Sequence, residues 1–483
     1  MNYRMILKSI GAVLCIEAAC MLPSLGVSLL YKEIEVLAFI LSILIISVIG
    51  LSLLRIATPN TSIYTRDGFA LVALGWILVS VLGALPFVLS GSIPAVMDAV
   101  FESVSGFSTT GATILRDIEA LPQGILFWRS FTHWMGGMGV LVLMIAILPS
   151  VQPNPLHILR AETPGPSPGK FVPKIRQTAE ILYLIYLGLT AVEVVLFLLG
   201  GMSLFDALIH AFGAVGTGGF SSKNASLAAY NSVYIDIITT FFMLLSGVNF
   251  SLYYTAFKQD MKSALRDEEL RFYLTVVAAA TILLVLNLYG RVYPSLGAAL
   301  RHAFFQVGSI TTTTGYVTAD YALWPAFSQV VLLLLMFIGG SAGSAAGGLK
   351  CIRIILLFKI IKREVTKIHH PRAVQTVKIN GRVVDEETLW GVMAFFFFAI
   401  LLSSAAILLL ALDGNDMTTS TTAAIASINN IGPGLGLVGP TGNFAHLSVF
   451  SKAVVSLLMI VGRLEIYPLM LLFLPSFWRR SGT

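Results

Sequence analysis

The sequence contains little charge and almost no cysteine. Charged residues make up 12% of its 483 residues, whereas a soluble globular domain carries roughly 25%. The chain therefore lacks the polar side chains that would cover a water-facing surface, which excludes a soluble, disordered, fibrous or nucleic-acid-binding protein. The three cysteines, Cys15, Cys20 and Cys351, form no CxxC pair and no Cys/His cluster. Neither a disulfide framework nor a metal site is predicted.

Apolar residues, in contrast, make up 56% of the chain. Ten apolar stretches are near or above the roughly 20 residues that cross a bilayer. They lie at about 5–30, 34–54, 68–90, 124–148, 178–200, 231–256, 271–290, 326–348, 389–412 and 447–474. This pattern predicts an all-α membrane protein with about ten transmembrane helices.

Four shorter segments lie between alternate pairs of these spans. They cover about 94–112, 203–220, 295–315 and 416–433, and each ends in a Thr/Gly or Asn/Gly cluster. Apolar segments of this length are more often re-entrant than spanning. The chain is therefore predicted to contain four pseudo-symmetric helix–pore-loop–helix repeats around one pore. The predicted units are two extra N-terminal helices (1–60) and four repeats (61–150, 151–260, 261–370 and 371–483).

The repetition is visible in individual residues. Asp98 and Asp206 each stand thirteen residues before the last glycine of their segment, a position that suits the first turn of a helix because the helix dipole favours negative charge there. The third segment has about one extra helical turn before Gly315. The fourth is the most divergent and ends at Asn430-Ile431-Gly432.

The distribution of basic residues predicts the orientation. With a cytoplasmic N-terminus and re-entrant segments entering from outside, 23 of the 31 Lys and Arg residues face the cytoplasm, seven face outside, and Arg463 lies within a span. The positive-inside rule favours this arrangement. Most of the net charge of +6 is therefore explained by topology, and nucleic-acid binding is not predicted.

The Thr/Gly and Asn/Gly clusters predict a pore lined by backbone carbonyls. Carbonyl oxygens can replace the hydration shell of a cation, and glycine supplies dihedral angles that other residues rarely adopt. Each cluster alone could instead be an extracellular turn. Four copies at matching places favour the pore.

These loops resemble those of the TrkH/TrkG/KtrB superfamily of potassium-translocating subunits, and of its TrkH branch in particular. The resemblance covers nearly the whole chain, including the two extra N-terminal spans, and rests on Ser108–Ala112, Thr217–Phe220, Thr313–Tyr316 and Asn430–Gly434. It implies that each repeat contributes one filter glycine. Relatives that pass sodium often carry Ser at the first filter position, so glycine there favours potassium.

The resemblance therefore implies a set of potassium-binding residues in the four loops. They are Thr109, Thr110, Gly111, Thr217, Gly218, Gly219, Thr313, Thr314, Gly315, Asn430, Ile431 and Gly432. The fourth loop departs from the Thr pattern, and Gly434 competes with Gly432 for the role of filter glycine.

A glycine-rich segment (residues 339–348) interrupts the second span of repeat three. Five glycines in ten residues argue against a stable helix, because each costs about 1 kcal/mol relative to Ala in a helix interior. The resemblance implies an intramembrane loop that obstructs the pore. The alternative is a small-residue ladder that lets two helices pack closely. The candidate gate residues are Gly339, Gly340, Gly343, Gly347, Gly348, Lys350 and Arg463.

Three of the ionisable residues within the predicted spans are candidates for a functional role. Arg463 stands about 16 residues into the last span, where a charge is costly and usually functional. The resemblance implies an arginine that points into the pore near the gate, and the alternative is a buried ion pair. Glu17 and Glu193 could carry protons in a symporter or serve as hydrogen-bonded packing carboxylates.

These features predict potassium uptake through a gated, channel-like pore driven by the membrane potential, because the sequence contains no ATP-hydrolysing motif. A symporter coupled to protons or sodium is the first alternative. A membrane enzyme is a remote one, since the sequence contains no HExxH motif and no paired intramembrane aspartates. Potassium is the expected substrate, and no cofactor is expected in this chain.

The resemblance also implies a location and partners. It places the protein in the bacterial inner membrane as a homodimer, seated on cytosolic nucleotide-binding regulatory subunits of the TrkA type. The stretch 350–387 carries nine basic residues, which suits contact with lipid headgroups or with such a cytosolic partner.

Overall fold

The computed structural model describes residues 1–58, 64–139, 175–258, 260–371 and 375–478. Within these residues helices dominate, and the only strands are a short antiparallel hairpin, β1 (Lys378–Ile379) and β2 (Arg382–Val383). The predicted all-α membrane fold is confirmed. The predicted unit boundaries at 60/61 and 150/151 lie outside the described residues.

The helices of the described residues are numbered in chain order. They are α1 (Tyr3–Cys20), α2 (Leu22–Leu30), α3 (Val36–Leu54), α4 (Thr65–Leu82), α5 (Leu85–Leu89), α6 (Val96–Phe107), α7 (Gln123–Gly137), α8 (Ile175–Leu199), α9 (Leu204–Val215), α10 (Val233–Ser246), α11 (Phe250–Lys258), α12 (Met261–Leu265), α13 (Glu268–Leu288), α14 (Leu296–Thr311), α15 (Ala326–Leu335), α16 (Cys351–His369), α17 (Glu386–Leu412), α18 (Met417–Ile428), α19 (Val449–Arg463), α20 (Tyr467–Leu472) and α21 (Pro475–Trp478). Three single 3₁₀ turns lie in the loops.

Six helical stretches of the described residues are long and apolar enough to cross a membrane. They are Tyr3–Leu30, Val36–Leu54, Arg66–Leu89, Ala179–Leu199, Glu268–Leu288 and Glu386–Leu412. These stretches are the two N-terminal spans and the first span of every repeat. Their outer faces carry bare apolar side chains: Leu37, Leu44 and Val48 on α3 are all more than half exposed. Such apolar faces are suited to contact with the hydrocarbon core of a membrane and not with water.

The helix that begins each second span ends or bends within the predicted span, a feature that the sequence predicted for repeat three only. Helix α7 ends at Gly137, α10 and α11 meet at a bend of 91°, α15 ends at Leu335, and α19 ends at Arg463. A glycine lies at or near each break: Gly137, Gly247, Gly339 and Gly462. Glycine disfavours a continuous helix, and kinks have local causes of this kind.

The four re-entrant segments form the short helices α6, α9, α14 and α18. Three of them begin at a serine or aspartate whose side chain accepts a backbone N–H of the first turn: Ser203, Ser295 and Asp416. Such caps satisfy otherwise unpaired donors. Asp98 and Asp206 lie in the first turns of α6 and α9, as predicted. The predicted extra turn in the third segment is also present, since α14 has 16 residues and the other three have 12.

The N-terminal helices α1 and α3 pack onto each other through small residues. A Cβ on Gly11 of α1 would lie 2.7 Å from the carbonyl oxygen of Gly50 on α3, so the two backbones are in direct contact. Close approach through small residues is the usual way in which membrane helices associate. The buried side chains of α1, α4, α6, α7 and α19 then join in one apolar cluster, which holds the short helices in place.

Candidate functional site

The four short helices aim their C-terminal ends at one place. Their last residues are Phe107, Val215, Thr311 and Ile428, and each stands four residues before the last glycine of its segment. The C-terminus of a helix carries roughly half a negative charge. Four such ends at equivalent positions favour a cation beside the glycines.

The backbone around each of these glycines is unusual in the same way in all four loops. The glycines have φ between +76° and +91°, and the residues two positions earlier have φ between +54° and +57°. Those earlier residues are Thr109, Thr217, Thr313 and Asn430. A β-branched residue at positive φ is an outlier that persists only where the surrounding structure holds it. Such strain is concentrated at functional sites.

The four glycines form a closed ring, called here the glycine ring (Gly111, Gly219, Gly315 and Gly432). A Cβ on each glycine would approach a carbonyl oxygen of the next loop to less than 3.0 Å. The glycine and carbonyl pairs are Gly111 with Gly218, Gly219 with Thr314, Gly315 with Ile431, and Gly432 with Thr110. Each carbonyl belongs to the residue just before its own loop's glycine. No other residue fits these positions, because both the dihedral angle and the space exclude a side chain.

The structure places Gly434 outside this ring. Its N–H donates to the carbonyl of Val438 at 2.7 Å, and a Cβ there would meet Thr422 Oγ1. Of the two glycines in the fourth loop, Gly432 is therefore the one that stands beside the other three loops.

Hydrogen bonds connect the loops to each other and to the helices behind them. Asn430 Nδ2 donates to Thr110 Oγ1 at 3.0 Å and to the carbonyl of Met459 at 2.8 Å. Thr217 Oγ1 donates to the carbonyl of Gly216, and Thr314 Oγ1 lies 2.7 Å from Thr312 Oγ1. The predicted filter residues are thus brought together, with all twelve lying in or beside the glycine ring.

An open cavity lies at the glycine ring, and all four glycines line it. Among its described lining residues, Arg129 and Lys223 carry charge. The Arg129 charge is offset by Glu102, whose Oε1 lies 2.6 Å from Arg129 Nε. An ion that reaches the ring through this cavity therefore passes Lys223.

The glycine-rich segment is not helical, and backbone bonds hold both of its ends. The Gly339 N–H donates to the carbonyl of Leu349 at 2.8 Å, and the carbonyl of Gly340 accepts from the Cys351 N–H at 3.1 Å. Gly343 and Gly348 both have φ of +73°, which an ordinary side chain would disfavour. The small-residue ladder is therefore not what this segment forms.

The glycine-rich segment also contacts the third filter loop and the bend between α10 and α11. The Gly347 N–H donates to Thr313 Oγ1 at 2.7 Å, and the Ser341 N–H donates to the carbonyl of Gly247 at 2.8 Å. The carbonyl of Gly343 accepts from the Phe250 N–H at 3.0 Å. The segment thus lies directly against the ring on the side where the second spans break.

Two basic side chains bind this region. Lys350 is buried, and its Nζ donates to the carbonyl of Ala346. Arg463, at the end of α19, donates from Nη1 to the carbonyl of Ala345 at 3.0 Å and from Nη2 to the carbonyls of Gly136 and Gly137. Arg463 therefore links the glycine-rich segment to the end of α7. Glu465 pairs with Arg353.

Sequence reasoning missed Glu269. One of its oxygens, Oε1, accepts from the Ala342 N–H at 2.8 Å and from the Ile352 N–H at 3.0 Å. A single buried carboxylate thus holds the glycine-rich segment and the start of α16. Its place near the start of a span gave no local signal, since acidic residues are common in the first turn of any helix.

Glu17 and Glu193, the candidate proton carriers, are not among the residues that line the cavity at the glycine ring. Glu17 and Glu193 are both buried, and within the described part of the chain their oxygens have no hydrogen-bond partner. The structure therefore does not bear out a hydrogen-bonded packing role for either side chain.

Comparison with known proteins agrees with this architecture. A family model described as TrkH, cation transport protein, matches residues 36–480. The Trk system potassium uptake protein TrkH of Salmonella typhimurium is 38% identical over 99% of this chain and 100% of its own length. The corresponding protein TrkG of Escherichia coli K12 is 35% identical, with 99% of both chains covered.

A solved structure agrees as well. The crystal structure of the potassium transporter TrkH from Vibrio parahaemolyticus matches with a TM-score of 0.90 at 36% identity, covering 99% of this chain and 100% of that one. The architecture, the family model and these full-length relatives lead to one assignment: this multi-pass membrane protein belongs to the TrkH family of cation transport proteins.

Proposed function

We propose that this protein carries potassium into a bacterial cell through a single gated pore whose selectivity filter is the glycine ring. The observation that carries the proposal is the closure of that ring, in which each loop's glycine lies against a carbonyl of the next loop. Carbonyl oxygens supply the ligands for a dehydrated cation without a formal charge that would trap it. The names of the full-length relatives, which are potassium uptake proteins, support potassium as the ion.

The glycine-rich segment and Arg463 form the closed barrier below this filter. Two contacts support that role: the bond between Gly347 and Thr313 sets the segment against the filter loop, and Arg463 holds the carbonyl of Ala345. Arg463 also adds a positive charge that opposes the passage of a cation. Opening requires that the segment move away from Thr313.

The membrane potential drives uptake. It supplies about 2.3 kcal/mol per elementary charge per 100 mV, which corresponds to a concentration ratio of roughly fifty. Symport is the second candidate, and the buried, unbonded carboxylate of Glu193 favours it. That carboxylate is not among the residues that line the cavity at the ring, so the channel-like mechanism has the stronger support.

The protein lies in the inner membrane with its N-terminus in the cytoplasm, since the basic residues are then mostly cytoplasmic. It acts as a homodimer with a cytosolic nucleotide-binding regulatory subunit of the TrkA type. Two observations support a regulatory partner: the relatives are named as parts of a Trk system, and α16 with the β1–β2 hairpin continues directly from the glycine-rich segment. A pull on α16 would reach that segment through Lys350.

Tracer uptake into liposomes tests the filter. Vesicles loaded with potassium chloride are diluted into sorbitol, so that potassium efflux draws rubidium tracer in through any potassium-conducting protein. Gly111→Ser is expected to reduce this uptake and its preference for rubidium over sodium, because a side chain there collides with Gly218. Gly290→Ser is the matched control, since Gly290 also has positive φ (+74°) but nothing within 4 Å of a Cβ. Equal behaviour of the two folded variants would mean that the filter lies elsewhere.

A further inference from the structure

A fully buried ion pair stands behind the first two filter loops. Arg129 on α7 and Glu102 on α6 have side-chain exposures of 1% and 0%, and their Nε and Oε1 atoms lie 2.6 Å apart. Buried pairs of this kind give little net stability, because desolvation offsets the attraction between the charges. The pair therefore calls for an explanation other than stability.

Each partner holds residues that lie one to three positions after a filter glycine. Glu102 accepts from Thr113 Oγ1 at 2.8 Å and from the Ile114 N–H at 3.0 Å, both just after Gly111. Arg129 reaches the second loop.

On that loop Arg129 makes two contacts. Its Nη1 donates to the carbonyl of Ser221 at 3.2 Å, and its guanidinium lies 3.5 Å from the centre of the Phe220 ring. Phe220 and Ser221 are the first and second residues after Gly219. The pair thus ties the first filter loop to the second.

The other repeats place different residues at the same position. Glu102 stands nine residues before its filter glycine, and the equivalent residues are His210, Gln306 and Ala423. All four are fully buried. His210 Nε2 lies 2.9 Å from Ser221 Oγ, so the second loop is held from both sides. Within the described residues the amide of Gln306 has no hydrogen-bond partner. The methyl side chain of Ala423 cannot form a hydrogen bond.

We propose that Glu102 and Arg129 are positioning residues that hold the first and second filter loops in register and thereby set the discrimination between potassium and sodium. This inference rests on the proposed function of the glycine ring. The third and fourth loops have neutral groups at the equivalent positions, so the charged support lies on one side of the ring. Loosening that side lets the carbonyls adjust to a smaller ion.

The test compares rubidium uptake into vesicles loaded with sodium chloride and with potassium chloride. Only an internal cation that the protein conducts can draw the tracer in, so the ratio of the two uptakes measures sodium permeation. The variants are Glu102→Gln, Arg129→Lys and the double variant Glu102→Gln with Arg129→Gln, which leaves no unpaired buried charge. Asp236→Asn is the matched control, because Asp236 pairs with Arg301 at 2.6 Å between α10 and α14. Its hydrogen bonds within the described residues go to Arg301, Thr240 and Ser232, and none of these lies in a filter loop.

We expect the ratio of sodium-loaded to potassium-loaded uptake to rise about tenfold, the equivalent of about 1.4 kcal/mol, in the pair variants and to stay unchanged in Asp236→Asn. The double variant keeps the test decisive if a single variant fails to fold. A folded double variant with the parent's ratio would refute the positioning role while leaving the proposed function intact. If rubidium enters potassium-loaded vesicles through neither the parent protein nor Arg463→Ala, which lacks the arginine of the proposed gate, the proposed function itself is refuted.

Discussion

Replacing Arg463 by alanine is expected to open the pore without a regulatory partner. Arg463 ties the glycine-rich segment to α7, through the carbonyl of Ala345 on one side and those of Gly136 and Gly137 on the other. Its removal frees the segment from α7 and also removes a positive charge from the path of the ion.

The size of the effect follows from these two contributions. A hydrogen bond to a charged group is worth about 1.5 kcal/mol at the lower end, so losing the bond to Ala345 shifts the ratio of closed to open states about tenfold. Two unit charges about 8 Å apart repel by about 2 kcal/mol at an effective dielectric constant of about 20. Together these terms correspond to roughly several hundred-fold. Basal flux should therefore rise by at least about tenfold.

The assay is rubidium uptake into potassium-loaded vesicles that contain the purified protein alone. Arg463→Lys separates the two contributions, because lysine keeps the charge but cannot bridge three carbonyls with a planar fork. Its flux should lie between those of the parent and Arg463→Ala. Lys452→Ala is the matched control: it removes another buried positive charge from α19, one that pairs with Asp98 at 2.7 Å and lies about 16 Å away along the helix.

Two results would refute this reasoning. If Arg463→Ala folds, reaches the vesicles and conducts no better than the parent, Arg463 is not part of the barrier. If Lys452→Ala raises flux as much as Arg463→Ala does, the increase reflects a general loosening of α19 and not the release of the glycine-rich segment.

The remaining carboxylates and the outer cavity give three further predictions. Glu193→Gln and Glu17→Gln should leave the pH dependence of rubidium uptake unchanged, because a channel needs no proton carrier. Glu269→Ala should raise basal flux several-fold, since the glycine-rich segment and the start of α16 then both lose their hydrogen-bond acceptor. Glu269→Gln should raise basal flux less, because the amide oxygen still accepts. Lys223→Gln should speed rubidium entry at low ionic strength and not at high salt, because salt screens the repulsion at the cavity. Arg291→Gln removes an exposed outer charge away from that cavity and should change neither rate.

Each of these predictions has a result that would contradict it. Loss of transport in a folded Glu193 or Glu17 variant would favour the symporter. Parent-like flux in Glu269→Ala would show that other bonds suffice to hold the segment. An effect of Lys223→Gln that persists in high salt would be steric and not electrostatic.

The architecture was largely predictable because hydropathy and turn chemistry are local properties. The first span of every repeat and the four short helices lie where the apolar stretches and Thr/Gly clusters place them. The breaks in the second spans were less visible, because apolar residues continue on both sides of each break. Gly137, Gly247 and Gly462 nevertheless mark these breaks in the sequence, in the same way that Gly339 marks the break in repeat three.

The contacts of the site were harder to predict because they join distant parts of the chain. The choice between Gly432 and Gly434 depends on Thr110, which lies more than 300 residues earlier. The bonds of Glu269 span 73 and 83 residues. No periodicity or motif marks such pairs, so a single sequence identifies the loops but not what holds them.

The glycine ring has a consequence that follows from its construction on one chain. In a pore built from four identical subunits, any substitution enters four times and at every contact between neighbours. Here each position occurs once and contacts a different neighbour. The four glycines of the ring can therefore differ from each other in their contacts and their function. The residues that precede them already differ: Thr110, Gly218, Thr314 and Ile431. A substitution at one of these four positions can therefore change one contact of the ring and leave the other three in place.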